Sequence, residues 1–157
     1  MSYSKDEVAL RKILKTIITS TPGLKYAIII DDTGITIMSE SKFMFSNEEE
    51  ISVEKIGAIG GAVFTAGEEQ GHILGYGSTE LQITEYDKGF IFSGKIGKGV
   101  LCIVTADKKV QIGYMRAIIK RFAPKISQIL TRYLQTDQGE MNKELKDLFS
   151  SETMGLL

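Results

Sequence analysis

A single cysteine and a single histidine are present in the chain. Cys102 has no second thiol for an internal disulfide or a metal cluster, and it stands inside the apolar run Val100-Leu101-Cys102-Ile103-Val104, so it reads as a small buried hydrophobe. With His72 as the only imidazole, one chain assembles neither a histidine-based triad nor a two-histidine metal site. The common hydrolase and zinc chemistries are thereby disfavoured. An excess of charge is also missing: 19 Lys+Arg against 20 Asp+Glu leave a formal charge of −1. No overall field draws the protein to nucleic acid or to an anionic membrane, and any such role needs a local patch. No apolar run approaches the ~20 residues of a membrane span. The segment Met1-Ser2-Tyr3-Ser4-Lys5-Asp6-Glu7 has no apolar signal core, and Ser2 stands where myristoylation needs glycine. A cytoplasmic protein is expected, with no cofactor, no metal, no nucleic acid and no direct insertion into a membrane.

Apolar residues make up 43% of the 157 and charged residues 25%, with mean hydropathy at zero. That is the balance of a globular domain, and at this length folding hides roughly 70% of the unfolded surface. From Lys5 to about Thr19, Val8, Leu10, Ile13, Leu14, Ile17 and Ile18 share one helical face, and Thr21-Pro22-Gly23 ends the helix. Ala27-Ile28-Ile29-Ile30, the turn Asp31-Asp32-Thr33-Gly34 and Ile35-Thr36-Ile37 predict a hairpin, followed by a polar stretch from Ser39 to Glu50. Ser52 can cap a second helix, with Ile56, Ile59, Val63 and Ala66 spaced as a core face.

Three further strands follow: an alternating one over 78–86, then 90–96 apolar on both faces, then 100–106 apolar throughout, joined by Asp87-Lys88-Gly89 and Gly97-Lys98-Gly99. A third helix spans about Val110 to Leu134, kinked or divided at Pro124; the polar remainder holds a short helix around Met141 to Phe149. Strands apolar on both faces belong at the centre of a sheet, and alternating ones at its edges. The fold class is therefore α/β: a three-layer α/β/α sandwich on a five-stranded antiparallel sheet of order 2-1-5-4-3, helices 1 and 3 on one face and helix 2 on the other. The third strand lacks the Pro or Lys that blunts an exposed edge, so pairing with a second copy through Thr79, Glu80, Leu81, Gln82, Ile83 and Thr84 is expected.

Asp31-Asp32-Thr33-Gly34 carries the Asp-Thr-Gly of aspartic proteases, but Asp and Gly are also what a hairpin turn demands, and three helices sit poorly with that small all-β class. Gly94-Lys95-Ile96-Gly97-Lys98-Gly99 lacks the GxxxxGK[ST] pattern and joins two strands, so it predicts no phosphate cradle. In the second helix, Gly57-Ala58-Ile59-Gly60-Gly61-Ala62 invites close approach, either to its own sheet or to a second helix across a dimer. Projection from Ser52 sets Glu54, Ala58, Gly61, Thr65 and Glu68 opposite the expected core face, with Phe64 on the flank as a dimer contact. Lys108, Lys109, Arg116, Lys120, Arg121, Lys125 and Arg132 precede Leu134 with no acid among them. Without interleaved aromatics they read as a solvated face, or as a match for an acidic partner or for the tail acids Asp137, Glu140, Glu144, Asp147 and Glu152.

The order helix, two strands, helix, three strands, helix resembles the Roadblock/dynein light chain family. Gly23-Leu24-Lys25-Tyr26-Ala27-Ile28-Ile29-Ile30-Asp31-Asp32-Thr33-Gly34 is similar to that family's first hairpin, and Gly113-Tyr114-Met115-Arg116 to the Gly-x-x-Arg opening its last helix. With the small-residue helix over 52–70, the match covers about 5–134, a Roadblock-like domain, leaving 135–157 as a polar extension. The resemblance implies a homodimer whose third strands pair into one sheet, with the two second helices side by side. In this family that surface docks Ras-like GTPases, while other members are dynein cargo-adaptor subunits. Family activators are thought to reposition the GTPase's own residues, so no arginine here is assigned a catalytic role and the chain is not expected to be an enzyme. The resemblance thus implies a homodimeric platform that binds a small Ras-like GTPase through Glu54, Ala58, Gly61, Thr65 and Glu68, by activation or by scaffolding. The alternatives are an adaptor without GTPase contact and a small-molecule sensor.

Overall fold

The computed structural model describes residues 4–42 and 51–156, and in the last helix it describes side chains as far as 136 and again at 148. Helix α1 spans Lys5–Thr19; Ser4 Oγ accepts from Glu7 N at 3.1 Å, and Asp6 and Glu7 lie in its first turn, where carboxylates complement the helix dipole. Strands β1 (Leu24–Ile30) and β2 (Thr36–Ser41) follow, then helix α2 (Val53–Leu74), strands β3 (Leu81–Glu85), β4 (Phe90–Ile96) and β5 (Gly99–Thr105), and helix α3 (Ile112–Leu156). The sheet is antiparallel with order β2-β1-β5-β4-β3.

The two sheet faces are set by alternation along the central strands. One face carries Ile29, Leu101, Ile103 and Phe92, which pack with Leu10, Leu14 and Ile17 of α1 and Met115, Ile119 and Ile126 of α3. The opposite face carries Ile28, Ile30, Val100 and Cys102, covered by Phe64 of α2. The three-layer expectation and the strand order are those observed.

Three elements differ in length from the sequence reading. Strand β2 reaches Ser41, into the stretch read as polar loop, because an edge strand pairs through its backbone, Tyr26 opposite Ser41 and Ala27 opposite Glu40. Strand β3 is shorter, since its pairing with β4 begins only at Leu81 opposite Gly94. Helix α3 is longer and undivided: Pro124 lies within it, exposed, on the side away from the sheet. There the carbonyl that loses its N–H partner faces water, which is how a helix tolerates an internal proline. The short separate helix expected around Met141 is therefore part of α3's backbone. Its amphipathic stripe (Met141, Leu145, Phe149) and the tail acids have side chains outside the described residues, as do Met1 to Tyr3 and 43–50; Leu148 is exposed.

Candidate functional site

Helix α2 begins at Ser52, whose Oγ accepts from Lys55 N at 3.2 Å, and ends at Gly75, where φ of 71° gives the left-handed cap that glycine supplies. Between these caps Gly57, Gly60 and Gly61 face the chain's own sheet. A Cβ at Gly57 would overlap Thr36 Oγ1, and one at Gly61 would stand 3.4 Å from Gly34 Cα and Ile30 Cγ2. Gly57, Gly61 and Phe64 are the buried positions, at spacings that fall on one side of a helix. The expected core face is thus corrected by a rotation. Ile59 is 61% and Val63 49% exposed. The physical reason lies beneath the helix: the sheet presents branched side chains at Ile28, Ile30 and Val100, so the backbone settles on them through glycines, and large side chains are turned outward. The glycines' close approach is to the chain's own sheet.

The predicted partner-binding residues divide accordingly. Gly61 is buried on the sheet and not opposite it. Ala58, Thr65 and Glu68 line an open cavity of about 580 Å³, together with Gly61, the β1–β2 turn and the β4–β5 turn. Glu54 is exposed in the first turn of α2, apart from that cavity. Three of the cavity's charged groups are engaged, Asp31 by its own turn and Glu68 and Lys95 by each other. Asp31 accepts from Thr33 N at 2.9 Å and Ile35 N at 3.0 Å, which fixes the hairpin turn in the Asp-Thr-Gly segment. Glu68 pairs with Lys95 at 3.6 Å and accepts from Thr79 N at 3.1 Å.

Phe64, expected as a dimer contact, is buried in its own chain at 3% exposure against Ile28, Ile30, Val100 and Cys102. Cys102 is buried too, 3.3 Å from Ser93 Oγ; burial pushes its thiol above the ordinary range, with the Ser93 contact opposing.

On the other side of α2 runs an apolar groove of about 190 Å³, lined by Ile56, Ile59 and Val63 and by Gln82, Thr84, Tyr86 and Ile91 of the β3–β4 hairpin. Gln82 Nε2 donates to Val63 O at 3.3 Å, tying β3 to the helix. Thr79 and Glu80 precede β3, Leu81 is half-buried on the α1/α3 core, Ile83 is 40% exposed, and Thr84 is exposed. Among the described residues β3 is a sheet edge, paired only with β4. Its ladder phase follows from the turn: Tyr86 N donates to Gly89 O at 2.8 Å, so alternation points the backbone groups of Thr84 and Gln82 toward β4. Those of Leu81, Ile83 and Glu85 then point to the free edge. Exposed apolar side chains continue at the end of α2, with Ile73 at 82% and Tyr76 at 79%. Among the described residues no cluster of three or more His, Cys, Asp or Glu side chains gathers.

No family model matches the chain. Uncharacterized proteins MJ0310 and MJ1340 of Methanocaldococcus jannaschii are each 29% identical over 109 residues, 69% of this chain and 90% of theirs. Among solved structures, gliding protein MglB from Thermus thermophilus superposes with a TM-score of 0.70 at 14% identity, covering 82% of this chain and 93% of that one. Myxococcus xanthus MglB gives 0.67 at 16%, covering 84% and 95%. A Roadblock/LC7 domain from Streptomyces avermitilis gives 0.65 at 14%, covering 76% and 96%. The chain has the Roadblock/LC7 fold, in the form that MglB takes.

Proposed function

We propose that this protein is a non-catalytic homodimeric platform that binds a small Ras-like GTPase and regulates it, by activation or by scaffolding. The observation that carries the dimer is the half-covered sheet face. Beside α2, the exposed apolar side chains of Ile59 and Val63 border a groove over β3 and β4, and among the described residues the β3 edge leaves the backbone groups of Ile83 without a strand partner. A second copy brought in by two-fold symmetry adds its own β3 to that edge and its own α2 to that stripe, satisfying backbone and apolar surface together. Doubling then leaves the side of α2 that carries Ala58 and Thr65, over the turn-lined cavity, as the surface offered to the GTPase. The MglB and Roadblock/LC7 fold supports this reading through the family resemblance.

The competing adaptor reading shares the dimer and lacks the GTPase. Capture of nucleotide-loaded small GTPase on immobilised protein separates the two. Ala58→Arg and Thr65→Arg, both at exposed positions, are expected to change stability by less than about 0.5 kcal/mol and to abolish capture. Unchanged capture by both variants excludes this side of α2 as the docking surface, and no capture by the wild type favours the adaptor.

A further inference from the structure

The α1/α3 side of the molecule carries a second surface, remote from α2. The two helices run antiparallel: Tyr114 Oη donates to Ser20 O at 3.3 Å at one end, and Arg132 pairs with Asp6 at 3.3 Å at the other. Arg121 lies two turns after Tyr114 and Lys125 two turns before Arg132, so both stand on the side of α3 that faces α1. Lys120 is exposed on the outer flank of α3, about 100° round the helix from Arg121, and Lys12 and Lys15 are exposed on α1.

These five cations are not neutralised by described residues. Asp6 is taken by Arg132, Glu7 and Glu40 by Arg11, and Glu85 by Lys108. No carboxylate among the described residues lies within ion-pair distance of Lys12, Lys15, Lys120, Arg121 or Lys125. Asp137 is the first acid in sequence after the basic run, and the uninterrupted helix carries it about 18 Å along the axis from Lys125 and onward from the face.

We propose that this face docks on an anionic lipid surface. Its cations are spread over the exposed backs of two adjacent helices, with the small uncharged Ala117 and Pro124 exposed between them, which suits a sheet of phosphate headgroups. Exposed Val8 (56%) lies beside Lys12 and Lys15 on α1, and Tyr114 (44%), on the side of Arg121 and Lys125, is of the aromatic type enriched at membrane interfaces. Among the described residues of the two helices Tyr114 is the one exposed ring, too few for a run of stacked bases, which disfavours single-stranded nucleic acid. Binding of this kind is peripheral; no helix among the described residues is long and apolar enough to cross a bilayer.

The test is sedimentation of the full chain with vesicles of phosphatidylcholine alone and of phosphatidylcholine mixed with phosphatidylglycerol. Binding is expected only to the mixed vesicles and is expected to fade as salt is raised. The triple variant Lys120→Ala, Arg121→Ala, Lys125→Ala should weaken it by about a hundredfold, taking the usual contribution of one polybasic residue near an anionic surface. Should that variant fold poorly by circular dichroism, Lys12→Ala with Lys15→Ala on the other helix should weaken it by about thirtyfold. Lys55→Ala with Lys98→Ala, outside this face, should leave it unchanged. Absence of binding to mixed vesicles, equal binding to neutral ones, or binding of duplex DNA or polyglutamate without binding of vesicles would each overturn the proposal.

Discussion

The two faces of the sheet are finished to different degrees. Under α1 and α3, Leu14, Ile17, Phe92, Leu101 and Met115 are fully shielded and form one continuous core. Under α2, Phe64 seals only a small cluster over β1 and β5, and the β3–β4 half keeps an apolar groove and an edge. One face is closed by two helices of the chain, and the other is left partly open by the described residues. Stability is thus expected to reside mainly on the first face and association on the second.

The sharpest way to break this comparison is to truncate one apolar side chain on each face. Phe92→Ala, at a position with 0% exposure, should cost about 4 kcal/mol. Ile59→Ala, at 61% exposure, should cost the isolated protomer less than about 0.5 kcal/mol. Chemical denaturation under monomeric conditions measures both, and equal losses would mean that α2 packs its large side chains inward after all.

The strand edge gives the next largest contrast, because its two backbone registers have different partners. Ile83→Pro removes an N–H that points to the free edge, so the hairpin should survive while association is lost. Gln82→Pro removes one that points to β4, and should destabilise the hairpin itself, by about 2 kcal/mol or more. The two variants, compared by melting and by molar mass, should fail in different ways. A smaller effect of opposite sign is expected beneath α2. Thr36 Oγ1 is buried with no hydrogen-bond partner among the described residues, so Thr36→Val should raise stability by about 1 kcal/mol. The smallest effect concerns the end of α3. Core contacts reach Tyr133 and Leu134, so truncation after Leu134 should lower the melting temperature by no more than about 2 °C; a collapse would place 135–157 within the domain.

The closed face was also the legible one. Apolar runs in β1 and β5 and the helical spacing of Leu10, Leu14 and Ile17 allowed only a central position and a buried stripe, and the strand order followed from them. The α2 face was misread because hydrophobic periodicity cannot tell a buried stripe from an exposed one. Ile59 and Val63 make the stronger apolar pattern, yet they face outward. The better signal was the unfavourable one: Gly57, Gly60 and Gly61 weaken a helix, and such a cost is repaid where the backbone must touch a sheet. The length of α3 escaped for another reason. Pro124 and a polar tail both read as stops, whereas a proline on the solvent side interrupts little.

The claim that the α2/β3 face is completed by a second copy of the chain is tested most directly by molar mass in solution. Multi-angle light scattering is expected to give a dimer for the wild type and a folded monomer for Ile59→Asp with Val63→Asp, since both side chains are exposed in the single chain and charges there oppose only the association. A monomeric wild type, or a dimer unchanged by the two aspartates, would contradict it.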